Sequence, residues 1–121
     1  MAGYYTFNDL KKKLIDSGNK YDMEKIERAY EYAAFLHEGQ FRKSGEPYIS
    51  HPLSVAEIVS DLKLDTDSIC ASLLHDVLED CKEKTSEAEV NRLFGNEVFE
   101  LVDGLTKLPT VFFEDKEEAS I

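Results

Sequence analysis

The sequence predicts an all-α domain, and three observations carry that prediction. Apolar residues recur at helical spacing through nearly the whole chain. Glycines and a proline fall where helices start or stop. No stretch alternates at period two, apart from a short candidate strand over residues 110–113. Thr6 caps a first helix carrying Phe7, Leu10, Leu14 and Ile15, with Asp9 standing in for Glu at the capping-box position and Gly18 ending it. Asp22 starts a longer helix whose stripe of Met23, Ile26, Ala29, Tyr30, Ala33 and Ala34 runs to about His37, and Gly39 closes it. A loop with Gly45 and Pro47 follows. Pro52 then falls in the first turn of a helix bearing Leu53, Val55, Ala56, Ile58, Val59 and Leu62, where its missing N–H costs nothing. Asp65 or Thr66 begins a helix that should run through about Glu79. Thr85 or Ser86 begins another, with Val90, Leu93 and Phe94, which Gly95 stops. Asn96 opens a last clear helix through Val98, Phe99, Leu101 and Val102. There is no internal repeat, heptad run or low-complexity tract.

Composition narrows the class. The 121 residues form one domain large enough for a single core, and 42% hydrophobic with 32% charged residues is the balance of a globular chain. No apolar run approaches the ~20 residues that cross a bilayer, and the N-terminus lacks the basic and apolar stretches of a signal peptide. No membrane role is expected, and the location read from this is cytoplasmic. Cys70 and Cys81 form no CxxC motif and read as reduced packing residues. With 14 basic against 25 acidic residues the net charge is −11, and no basic stripe is available to neutralise a polyphosphate, so nucleic acid is not an expected partner. Locally, Arg42 and Lys43 precede a Ser44-Gly45 turn shortly before His51. A small basic entrance in an acidic protein fits a small phosphorylated ligand.

The chemistry concentrates at His75-Asp76-Val77-Leu78-Glu79-Asp80. On an unbroken helix His75 shares a face with Glu79, and Asp76 with Asp80. Alone, a His-Asp pair is usually solvated helix surface. Here it lies amid Leu73, Leu74, Val77 and Leu78, and crowded carboxylates in such surroundings repel unless a cation or a proton relieves them. His51, in Ser50-His51-Pro52-Leu53, supplies a second imidazole. Two histidines and an aspartate make a first shell for a divalent metal, leaving Glu79 and Asp80 for acid–base work.

Three runs together resemble the hydrolase domain of RelA/SpoT-type enzymes, within the HD metal-dependent phosphohydrolase superfamily. They are Gly39-Gln40-Phe41-Arg42-Lys43-Ser44-Gly45-Glu46-Pro47-Tyr48-Ile49-Ser50-His51-Pro52, then His75-Asp76-Val77-Leu78-Glu79-Asp80, and Val102-Asp103-Gly104-Leu105-Thr106-Lys107-Leu108. The resemblance covers about residues 21–108 and implies an HD-type helical bundle that removes the 3′-pyrophosphate of (p)ppGpp, giving GDP or GTP plus pyrophosphate in stringent-response control. Carried over by motif, it places the Mn²⁺ ligands on His51, His75 and Asp76, and the acidic pair that activates water on Glu79 and Asp80. Arg42, Lys43 and Ser44 match residues of the nucleotide pocket.

The family's fourth ligand is an aspartate in a Leu-Ala-Asp-Arg-Leu-His-like motif, which this sequence does not reach. The expectation is therefore a C-terminally truncated HD unit, with the fourth ligand beyond Ile121, little or no bound Mn²⁺ and poor hydrolysis. Apolar faces left uncovered predict self-association, and a synthetase domain is expected to follow in some parent proteins. The rival readings are a catalytically inert regulatory HD module of a synthetase and an HD hydrolase of another nucleotide. His37 is expected to interact with the C-terminus of its helix, Tyr48 to serve the core, and Asp103 to mark a helix end.

Overall fold

The computed structural model describes residues 6–62 and 65–106. Among these residues it contains seven helices: α1 (Phe7–Asp16), α2 (Met23–Leu36), α3 (Ser50–Asp61), α4 (Thr66–Leu74), α5 (Val77–Asp80), α6 (Glu87–Phe94) and α7 (Asn96–Thr106). The all-α expectation holds. The expected strand over 110–113 lies outside the described residues.

Helix starts are written in side chains. Thr6 accepts the Asp9 N–H while the Asp9 carboxylate accepts the Thr6 N–H, completing the predicted capping box. Asp22, Asp65 and Ser86 accept the N–H groups of Lys25, Ser68 and Glu89 respectively, each satisfying a donor that the first helical turn leaves open. Gly95 separates α6 from α7 with φ of 97°, a conformation that side chains with a Cβ rarely adopt.

α4 is the centre. All six residues from Ile69 to Leu74 are buried, so the helix is covered on every side rather than along one stripe. It packs against α2, α3 and α7, and each fully buried Leu or Ile there stabilises the fold by on the order of 1.5–3 kcal/mol. α1 closes the far side on α3, and Phe7 stacks on Tyr30 of α2 with ring centroids 4.5 Å apart. Cys70 and Cys81 are free and buried. Burial pushes the Cys70 thiol up to about 12, as befits a packing residue.

One expectation fails. The helix opened by Asp65 does not run through Glu79: it ends at Leu74, and a turn at His75-Asp76 separates it from the four-residue α5. His75 Nδ1 lies 2.7 Å from the Ser72 carbonyl. The imidazole thereby takes an acceptor that a continuing helix would offer to the N–H of residue 76. The buried second half of α4 thus leads into His75 and Asp76 at a break in the middle of the fold, not along a continuous surface.

Candidate metal centre

His51 enters from the first turn of α3 and His75 from the end of α4, and Asp76 occupies the N-cap position of α5. His51 and His75 are 4% and 6% exposed. One ligand atom from each of His51, His75 and Asp76 lies within 4.8 Å of the others. Asp76 Oδ2 is 3.2 Å from His75 Nε2 and 3.6 Å from His51 Nε2. Donors bound at about 2.1 Å to one ion sit roughly 3–3.5 Å apart, so the two histidine–aspartate spacings are those of neighbouring ligands.

Two electrostatic features suit this use. With Nδ1 turned to the Ser72 carbonyl as its N–H donor, His75 presents the Nε2 lone pair toward Asp76. Burial pushes the His51 imidazole down to about 4, against the pull of the Asp76 carboxylate, with the Arg42 charge among the influences that add to the depression. At neutral pH His51 is therefore the uncharged base that a metal requires. The donor set fits a divalent transition ion.

Glu79 and Asp80 are both exposed on α5. Asp80 holds its proton more tightly than an ordinary carboxyl, first through loss of hydration and next through the Asp76 charge, while the polar Tyr48 hydroxyl nearby works the other way. The two carboxylates lie on a separate short helix, so the predicted stacking of His75 on Glu79 along one helix face is replaced by a turn. The one-turn relation of Asp76 to Asp80 survives, since the Asp80 N–H donates to the Asp76 carbonyl at 2.9 Å.

The basic loop is a tight excursion closed by an antiparallel bridge between Phe41 and Pro47. The Arg42 N–H donates to the Glu46 carbonyl and the Gly45 N–H to the Arg42 carbonyl, both at 2.9 Å, with Gly45 at φ of 96°. Arg42 has a largely buried side chain 3.6 Å from Glu46, and its charge is felt at His51. Lys43 and Ser44 lie on the exposed tip, where the Ser44 hydroxyl donates to Glu46 at 3.3 Å.

Two residues behave differently from expectation. Tyr48 does more than fill core: its hydroxyl donates to Asp76 Oδ2 at 2.8 Å. His37 does sit at the end of α2, but its ring, 2% exposed, packs on Tyr48 at 4.8 Å and its Nδ1 lies 2.8 Å from Gln40 Oε1 and 3.6 Å from Cys81 Sγ. Sequence reasoning missed Gln40 altogether. Its signal was its place between a helix end and the basic loop, where a side-chain amide can bridge two backbones.

A family profile described as HD domain matches residues 29–120. Over 115 residues the chain is 43% identical to the bifunctional (p)ppGpp synthase/hydrolase SpoT of Escherichia coli K12, and 42% identical to a guanosine-3′,5′-bis(diphosphate) 3′-pyrophosphohydrolase of Vibrio cholerae, covering 95% of this chain and 16% of each relative. It is 55% identical over 87 residues to a GTP pyrophosphokinase of Myxococcus xanthus, covering 72% of this chain and 11% of that protein. The chain thus spans only a small part of these relatives' length. Among solved structures, a metazoan SpoT ortholog described as hydrolysing ppGpp superposes with a TM-score of 0.64 at 30% identity, over 84% of this chain and 58% of that one. The resemblance drawn from the three motifs is thereby borne out. Among the described residues no helix is long and apolar enough to cross a membrane.

Proposed function

Since the chain belongs to the HD-domain family, we propose that His51, His75 and Asp76 hold a divalent cation, Mn²⁺ as the first candidate, and that the site removes the 3′-pyrophosphate of (p)ppGpp. The convergence of those three ligand atoms in a buried, uncharged-imidazole setting carries this reading. The relatives named for (p)ppGpp hydrolysis supply the substrate. A bound divalent ion would lower the pKa of water and neutralise phosphate oxygens.

The chain's own residues do the rest. Arg42 offers a guanidinium beside the site, suited to a phosphate or to the face of a purine. Lys43 and Ser44, on the exposed tip, meet the nucleotide from outside. Glu79 and Asp80 take the proton that the attacking water gives up, and the raised proton affinity of Asp80 suits an acceptor. The water oxygen bonds to the phosphorus on the 3′ oxygen, and the P–O3′ bond breaks. The 3′ hydroxyl regains a proton and pyrophosphate leaves. No ATP is consumed.

The same proposal treats the chain as part of a single HD unit with motifs over about residues 21–108, and as a cytoplasmic protein. Exposed Ile15, Ile58 and Leu62 support self-association, which sedimentation measures. The test is release of pyrophosphate from 3′-labelled ppGpp with Mn²⁺, run on this chain and on a longer one reaching the Leu-Ala-Asp-Arg-Leu-His-like motif, against a panel that includes deoxynucleoside triphosphates. Turnover of ppGpp above the panel supports the reading. Silence in both chains would favour the non-catalytic alternative, which the 55% identity to a protein named GTP pyrophosphokinase keeps as the rival. Faster turnover of another nucleotide would replace the substrate.

A further inference from the structure

We propose that Tyr48 is a positioning residue of the cation site: its hydroxyl orders the Asp76 carboxylate for coordination. The inference rests on the metal-dependent reading above and adds to it a residue outside the three ligands. Asp76 sits at the N-cap position of α5, yet its side chain makes no capping hydrogen bond. The helix that follows therefore does not fix the carboxylate, which needs another anchor if its rotamers are to narrow to one. Tyr48 supplies it, donating at 2.8 Å to Oδ2, the same oxygen that faces His75 and His51.

The tyrosine is itself fixed on several sides. Its N–H donates to the Gln40 carbonyl at 2.9 Å, and its own carbonyl accepts the His51 N–H at 2.9 Å. Its ring leans on His37 at 4.8 Å and on His51 at 5.7 Å. His37 is in turn held by Gln40, whose side-chain amide also donates to the Asp80 carbonyl at 3.3 Å. A phenol has a fixed reach, so a ring clamped in this way sets the position of its oxygen. The loop after α2 is thereby tied to the ligand at the start of α5. Groups that hydrogen-bond a ligand typically contribute 10–100-fold to metal affinity or activity.

The experiment is a calorimetric titration with Mn²⁺ of the wild-type chain, of Tyr48→Phe and of a chain with 3-fluorotyrosine at position 48, alongside thermal unfolding of each without metal. Phe keeps the ring and its packing and removes the hydroxyl; fluorotyrosine keeps both. The expected result is a roughly 10–100-fold weaker Mn²⁺ affinity for Tyr48→Phe, near wild-type affinity for the fluorotyrosine chain, and metal-free melting temperatures that stay close together. Equal affinity in wild type and Tyr48→Phe overturns the proposal and leaves the cation site standing. Equal weakness in Phe and fluorotyrosine chains overturns it too, since the hydroxyl is then not the cause. Loss of the metal-free fold in Tyr48→Phe makes the hydroxyl a structural group, which also overturns it. Absence of Mn²⁺ binding both in the wild-type chain and in a longer one reaching the Leu-Ala-Asp-Arg-Leu-His-like motif overturns this proposal and the metal-dependent reading together.

Discussion

Asp65 and Asp76 stand at the same position relative to the helices they precede, α4 and α5, and the molecule uses them in opposite ways. Asp65 has extended backbone, accepts the Ser68 N–H at 3.0 Å and the Ser68 hydroxyl at 2.8 Å, and holds its carboxyl below the usual carboxylate range through those bonds. Asp76 makes no capping bond; it turns its carboxylate to Tyr48, His75 and His51. One aspartate begins a helix and serves it. The other begins a helix that is left uncapped, in a fold whose stability comes from the buried body of α4. A side chain withheld from local structure, although local structure has a use for it, marks a functional position more sharply than burial alone.

Four substitutions or treatments test that contrast. The largest effect belongs to Asp76→Asn, which removes the charge but keeps the shape. Cation binding should fall at least tenfold, as for loss of a charged ligand partner, while metal-free melting stays near wild type because no cap is lost. A large drop in melting temperature with intact binding would assign Asp76 to the fold. Next comes Glu79→Gln, exposed on α5 and outside the three ligand atoms. In a hydrolysis-competent chain it should slow ppGpp turnover about 10²–10⁴-fold with unchanged cation binding, and near-normal turnover would remove it from the acid–base role.

Asp65→Ala should instead cost about 1 kcal/mol of stability and leave the cation site untouched. The sign with pH follows from its lowered folded pKa. The carboxylate contributes its stability above the unfolded value near 3.9 and loses it as pH falls through the folded value. The gap between wild type and Asp65→Ala in urea melts should therefore be full at pH 7 and shrink below pH 4. A gap independent of pH would mean that the capping charge does not matter. The smallest effect is at Cys70, in the body of α4 between the two aspartates. With its thiol pushed up to about 12 by burial, it should resist iodoacetamide at pH 8 in the folded chain and react in urea. Prompt alkylation without urea would show that α4 opens readily.

The architecture was largely legible because the devices that set it are local. The Thr6–Asp9 box, Asp22, Asp65, Ser86 and Gly95 all punctuate helices where sequence spacing placed them. The break at His75-Asp76 was not legible. Leu73, Leu74, Val77 and Leu78 keep an apolar rhythm straight through it, and the interruption accompanies an imidazole-to-carbonyl bond to Ser72 that periodicity does not register. The three proposed ligand residues were readable as residue types, whereas their convergence needed α3 and α4 to pack together. Tyr48 was misread as core because its ring does pack; only the loop bridged at Phe41 and Pro47 carries its hydroxyl to Asp76. The same loop keeps Arg42 beside His51 and leaves Lys43 and Ser44 at its tip, a division that adjacent letters in a sequence do not reveal.

The most direct measurement is a side-by-side Mn²⁺ titration of wild type, Asp76→Asn and Asp65→Ala, read by the loss of the free-ion electron paramagnetic resonance signal. One ion per chain is expected for wild type and for Asp65→Ala, with the same affinity, and at least tenfold weaker binding for Asp76→Asn. Equal binding by all three chains, or equal loss in both variants, would contradict that expectation.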